Sequence, residues 1–134
     1  MSSPSFLASS LLVALGGAIG AWLRFMVGRA YVAWLGPIKA SAFPWGTLTA
    51  NVLGSLAMGL LVGWLARHGS ASEGTRLLLA VGLLGGFTTF SAFSLEFALM
   101  VERGAMGIAA LYVAVSLIAG FAALFAGLAV MRAS

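Results

Sequence analysis

Phenylalanines at positions 87, 90, 93 and 97 recur every three or four residues, which places them on one face if the segment is a single helix. Ser91 and Ser94 fall on the adjoining face. Aromatic rings carry a positive edge. A wall of ring edges and hydroxyls therefore suits a bare anion, because it offers donors without a fixed positive charge that would trap the ion. The same stripe also reads as ordinary helix packing. Tyr112 and Ser116, four apart, add two hydroxyls on one face of a later segment, for an anion or for interhelical hydrogen bonding. Asn51 lies in an apolar stretch, where an amide must find a partner. Its roles divide between interhelical tie and N–H donor to an anion. Arg24 and Glu96 are ionisable groups in apolar sequence, a setting that turns such groups toward the protein interior or a watery vestibule. They either pair directly or line a vestibule.

Other chemistry is excluded by what the chain lacks. There are no cysteines, hence no disulfide, thiolate metal site or thiol catalysis, and the one histidine, His68, falls in a polar loop. No carboxylate pair, nucleophile–base set or histidine cluster lies within the apolar segments, which argues against a membrane enzyme.

The elements that must position these residues follow from composition. Of 134 residues, 62% are hydrophobic and 7% charged, against roughly a quarter charged in a soluble domain. So few charges do not cover a water-facing surface, and the bilayer must be the solvent for most of the chain. A spanning helix takes about 20 apolar residues, so four spans use up the chain as a single transmembrane domain, residues 1–134. The spans are expected over about 6–32, 45–66, 75–101 and 105–131. The first lacks a basic start and runs past Arg24 to Tyr31, so it reads as a mature helix rather than a signal peptide. It carries Gly16, Gly17 and Gly20, and the second carries Gly54, Gly59 and Gly63, small residues that admit a neighbouring helix. A loop is expected from Ala33 to Phe43, with Pro44 opening the second span. The stretch from Arg67 to Gly74 is the most polar. Trp22, Tyr31, Trp34, Trp45 and Trp64 fall near segment ends, as an aromatic belt does.

The third span departs from this pattern. Paired glycines, Gly85 and Gly86, precede paired threonines, Thr88 and Thr89, a poor sequence for helix continuity. A broken helix in lipid survives only inside protein, around an ion or beside water. Gly82 and Gly86, four apart, alternatively form only a packing face.

Charge gives the orientation. With four spans, Arg67, Arg76 and Arg132 share one side, and Arg29, Lys39 and Arg103 the other, with Arg24 slightly deeper on that second side. Three against three, or three against four, leaves almost no bias. Either the tally is small-sample noise, or the chain inserts both ways and the two forms pair head to tail. The cations, net +4, sit singly near segment ends and read as interfacial anchors, not as a nucleic-acid patch.

Three motifs then carry a resemblance. Gly-Gly-x-x-Gly-Ala-x-x-Arg-Phe runs from Gly16 to Phe25, Pro-x-Gly-Thr-Leu-x-x-Asn-x-x-Gly from Pro44 to Gly54, and Gly-Gly-Phe-Thr-Thr-Phe-Ser-x-Phe-Ser-x-Glu from Gly85 to Glu96. In this order and over nearly the whole length, the chain resembles the bacterial fluoride channels of the CrcB family, also called Fluc. The resemblance implies a dual-topology, antiparallel homodimer in the bacterial plasma (inner) membrane, with two pores through which fluoride leaves the cell passively. It implies that Asn51, Phe90 and Phe93 line a pore, and that Ser91, Ser94, Tyr112 and Ser116 match its polar lining. It implies that backbone carbonyls of Gly85 and Thr88 hold a central sodium ion shared between subunits, and that Arg24 and Glu96 match charged positions near the vestibules. Where the family often has threonine, this chain has Ala92, so one hydroxyl of the polar track is missing. The competing readings are a small proton-coupled multidrug exporter of four spans and a non-transporting assembly subunit. The exporter wants a deep carboxylate, and only Glu96, late in its span, is available.

Overall fold

Ser5 opens the chain's first helix by accepting a hydrogen bond from the Ala8 N–H at 3.3 Å, a serine N-cap. Helix α1 (Phe6–Leu35) then runs to Gly36, whose φ of 78° lies in the left-handed region that ends helices at glycine. In the computed structural model, which describes residues 4–68 and 72–133, the expected loop after α1 holds a short helix, α2 (Pro37–Ala42). Pro37 starts it, because a fixed φ and a missing N–H cost nothing in a first turn. Phe43 is extended, the Pro44 carbonyl accepts from the Leu48 N–H at 3.1 Å, and α3 (Trp45–His68) follows. Pro44 thus stands just before the helix rather than inside it. Tyr31, Trp34, Phe43 and Trp45 gather at this end of the molecule, with Phe43 and Trp45 rings 4.6 Å apart.

The polar stretch after α3 is shorter than expected. Ser72 caps α4 (Glu73–Arg76), while residues 69–71 and the His68 side chain lie outside the described residues. The third span continues as a π-helical stretch, Leu77–Leu84, then α5 (Gly85–Phe87), two extended residues, and α6 (Phe90–Glu102). Thr88 (ψ 158°) and Thr89 (φ −153°, ψ 126°) are the break itself, and the Thr89 hydroxyl caps α6 by accepting from the Ala92 N–H at 3.2 Å. Gly85 is helical (φ −63°, ψ −38°), so the interruption falls on the threonines rather than the glycines. A turn through Gly104 (φ 74°) leads to α7 (Met106–Ala133).

The glycines serve a different purpose. A Cβ on Gly86 would stand 2.5 Å from the Gly17 carbonyl, one on Gly82 2.9 Å from the Gly16 Cα, and one on Gly20 against the Leu83 carbonyl. Backbone therefore meets backbone where α1 crosses the first half of the third span. On the other side α3 packs on α7, where a Cβ on Gly127 would stand 2.5 Å from the Leu56 carbonyl and one on Gly59 would press on that of Leu124. Gly82 and Gly86 are thus a packing face, and the break follows directly after it. Gly86→Ala pushes a methyl into backbone that has no room to retreat, and is expected to cost about 1–3 kcal/mol. Gly28→Ala meets nothing within 4 Å and gains up to about 1 kcal/mol of helix propensity. Thermal unfolding of both variants in detergent checks this: equal midpoints would show that the crossing is not close-packed.

The described residues form an all-helical protein with four helices long and apolar enough to cross a membrane: α1, α3, the interrupted segment Glu73–Glu102, and α7. Between 6% and 22% of each span's apolar window is buried, so most apolar side chains face outward, toward lipid or another subunit. The small interior is built on Met100, Ala109 and Tyr112, with Phe43, Phe93 and Phe97 packed around them.

Candidate functional site

The break is held by Asn51. The Thr89 N–H donates to Asn51 Oδ1 at 2.8 Å, and Asn51 Nδ2 donates to the Thr89 carbonyl at 3.1 Å. Both backbone groups of Thr89 are thereby satisfied by one side chain 38 residues away, as a buried unwound segment requires. In an unbroken helix the Thr89 N–H would serve the Gly85 carbonyl. Its diversion to Asn51 releases that oxygen from the ladder. The Gly86 carbonyl, likewise deprived of a helical donor, accepts from Arg24 Nε at 3.3 Å. The Thr88 hydroxyl turns back to the Leu84 carbonyl at 2.9 Å.

Glu96 has separate partners. Its Oε1 accepts from the Thr47 hydroxyl at 2.6 Å, and its Oε2 from the Tyr112 hydroxyl at 2.7 Å. Arg24 and Glu96 therefore engage different groups rather than each other. Tyr112 is fully buried, with its ring 5.1 Å from Phe93 and edge-on to Phe43 at 5.5 Å.

A groove of about 330 Å³ runs between α3, the break, α6 and α7. Asn51, Thr88, Thr89, Phe90, Phe93 and Ser116 line it. Phe90 and Phe93 are tilted at 37° with centroids 5.8 Å apart, and Phe90 is 80% exposed in the single chain. The lining holds amide, hydroxyl and aromatic groups and no charged side chain. One Nδ2 hydrogen of Asn51 remains beyond the bond to Thr89. Chemically, such a surface replaces part of a small anion's hydration and leaves it free to depart.

The structure divides the residues singled out in sequence. Asn51, Phe90, Phe93, Ser116 and Thr88 come together on the groove. Ser91 and Ser94 lie on the exposed side of α6, where Ser94 donates to the Phe90 carbonyl at 2.9 Å and Ser91 stands 3.4 Å from the Thr89 hydroxyl. Tyr112 sits behind Phe93, bonded to Glu96, and not on the groove surface. Phe87 does not line the groove: it precedes the break, its ring lies beside Gly54, and two extended residues end the helical phase that linked it to Phe90, Phe93 and Phe97. Thr47 was not singled out, and Thr89 only as part of the break, although Thr47 stands one helical turn before Asn51 on the same face, a signal available in the sequence.

Relatives share this arrangement's sequence over nearly its whole length. A family profile described as CrcB-like protein, Camphor Resistance (CrcB), matches residues 11–128. The fluoride-specific ion channel FluC of Novosphingobium aromaticivorans is 59% identical over 124 residues, covering 92% of this chain and 96% of that protein. FluC of Erythrobacter litoralis is 52% identical with 98% of both chains covered, and FluC of Agrobacterium fabrum 50% identical over 90% of this chain and 94% of its own. With a match spanning all four candidate membrane helices and relatives at this identity, the chain belongs to the CrcB-like family.

Proposed function

We propose that this chain is a fluoride-specific channel that lets fluoride leave the cytoplasm down its electrochemical gradient. The carrying observation is the groove: donors of several kinds converge on it, and no charged side chain lines it. Fluoride is small and strongly hydrated, so a pore must replace its water with donors, yet hold it weakly enough for release. The free Asn51 N–H, the ring edges of Phe90 and Phe93 and the Ser116 hydroxyl supply such donors. Ser91 and Ser94 continue the polar lining on the outer side of α6, and Tyr112 fixes Phe93 from behind. The names of the relatives support the same reading.

The working form is an antiparallel homodimer in the bacterial plasma membrane. The even charge tally supports insertion both ways. The exposure of Phe90, Ser91 and Ser94 in one chain supports a second chain that covers them. The Gly85 and Thr88 carbonyls, lying at the break with the Thr89 N–H diverted to Asn51, fit a structural sodium ion at the dimer centre. Bound there, the ion would satisfy oxygens that the broken helix exposes and offset the repulsion of nearby anions.

Reconstituted liposomes loaded with fluoride salt test the function. A channel releases fluoride rapidly, without a proton gradient, as read by an ion electrode. Release only under a proton gradient would make the protein an exporter, and no release would leave it an assembly subunit.

A further inference from the structure

Among the described residues, hydroxyls within the spans are, with three exceptions, already engaged. Ser10, Thr88 and Ser94 turn back to the carbonyl four residues earlier, Thr47 binds Glu96, and Thr49 pairs with Tyr31. The three are Ser9, in the first turns of α1 and away from the groove, and Ser55 and Ser116. Ser116 Oγ is fully buried in that state, which is costly unless a ligand or water completes it. Ser55 and Ser116 both line the groove that holds Asn51.

Their levels along the groove follow from the parallel contact of α3 and α7, in which residue numbers rise together. Ser55 lies opposite Gly120, Gly59 opposite Leu124, and Leu56 and Leu60 opposite Gly127. Ser116, one turn before Gly120, is therefore level with Asn51, and Ser55 stands one turn further along, before the groove becomes apolar at Met58 and Leu124. Gly120 is unlike the other glycines of this contact. A Cβ on it would meet only Ser55 Oγ, at 3.8 Å, an ordinary contact, whereas Gly59 and Gly127 face backbone too closely to carry a side chain. Packing does not demand glycine at position 120. What its bare backbone provides is space in front of the Ser55 hydroxyl.

We propose that Ser55, facing the space left by Gly120, is a further anion-coordinating position, which receives a dehydrated fluoride one helical turn beyond Asn51 and Ser116. The inference rests on the channel reading above and extends it to a residue that no motif singled out. A serine that does not bond its own helix can turn its O–H to an ion, and a row of weak sites one turn apart lets an ion pass without being trapped.

Fluoride efflux per folded protein from liposomes tests this with three variants. Ser55→Ala removes the donor without adding bulk and is expected to lower flux about three- to tenfold, the worth of one net hydrogen bond. Ser55→Thr keeps a hydroxyl and should retain most of the flux. Gly120→Ala fills the space at an ordinary contact distance, so thermal stability should hold while flux falls. If Ser55→Ala loses stability but conducts normally per folded protein, or if Gly120→Ala conducts normally, Ser55 is a packing residue and the proposal is overturned. Wild-type vesicles that release no fluoride would overturn the channel reading and this one with it; wild-type release with unchanged Ser55→Ala flux overturns this one alone.

Discussion

Phe90→Ile is expected to lower fluoride efflux per folded protein on the order of a hundredfold, while its elution volume on a sizing column stays that of the wild type. That is the expected size of the loss when a preorganised group is removed from around a dehydrated charge. The structure makes this position a clean test. Phe90 is 80% exposed within the chain, so its replacement by another large apolar side chain leaves the interior of the protomer unchanged. A packing role alone would cost roughly 1–2 kcal/mol or less, and would affect stability and flux together. Phe93→Ile should cut flux similarly but adds a packing cost, because Phe93 rests on Tyr112 at 5.1 Å and belongs to the small buried cluster. Asn51→Asp should abolish conduction by two routes. It sets a carboxylate oxygen against the Thr89 carbonyl in place of an N–H donor, loosening the break, and it puts negative charge in the anion's path. Near-normal flux in both phenylalanine variants would return the stripe to ordinary packing.

Adding three lysines to the connection between α3 and α4 should force nearly every chain into one orientation. Activity should then collapse, and return when a copy with the opposite bias is co-expressed. The structure sharpens the charge argument behind this expectation. Arg24, which tipped the tally to three against four, donates to the Gly86 carbonyl and is committed to the helix break rather than to an interface. The remaining count is Arg67, Arg76 and Arg132 against Arg29, Lys39 and Arg103, an even balance that a few added charges should overturn. Full activity from a singly oriented population, as judged by protease accessibility of the two loop sets, would sink the antiparallel assembly.

The sequence by itself determined the solvent, the number of spans and the region of the break. Apolar runs of this length leave no alternative to helices in a membrane, since the backbone has no water to bond to. The paired glycines and threonines marked the third span as irregular, because helix propensity is a local property. The glycine spacing also announced close helix crossings, which Gly82 and Gly86 make against α1. It did not reveal the π-helical stretch, for an apolar run such as Leu77–Leu84 reads the same whichever helical ladder it adopts.

Only the tertiary structure decided which polar groups meet. Asn51 and Thr89 are 38 residues apart, Arg24 and Gly86 62, Thr47 and Glu96 49. Each pairing depends on the register of one helix against another, and side chains of a given type are compatible with many registers. The sequence therefore left Asn51 open between tie and anion donor, and Arg24 and Glu96 open between a direct pair and separate roles. In the fold, Asn51 ties the break and still lines the groove, and the two charged residues part company. The phenylalanine stripe shows the reason most directly. Periodicity carries direction only while the helix is continuous, and two extended threonines reset the phase, so the spacing that placed Phe87 beside Phe90 and Phe93 no longer fixes its direction, and its ring lies against Gly54 instead.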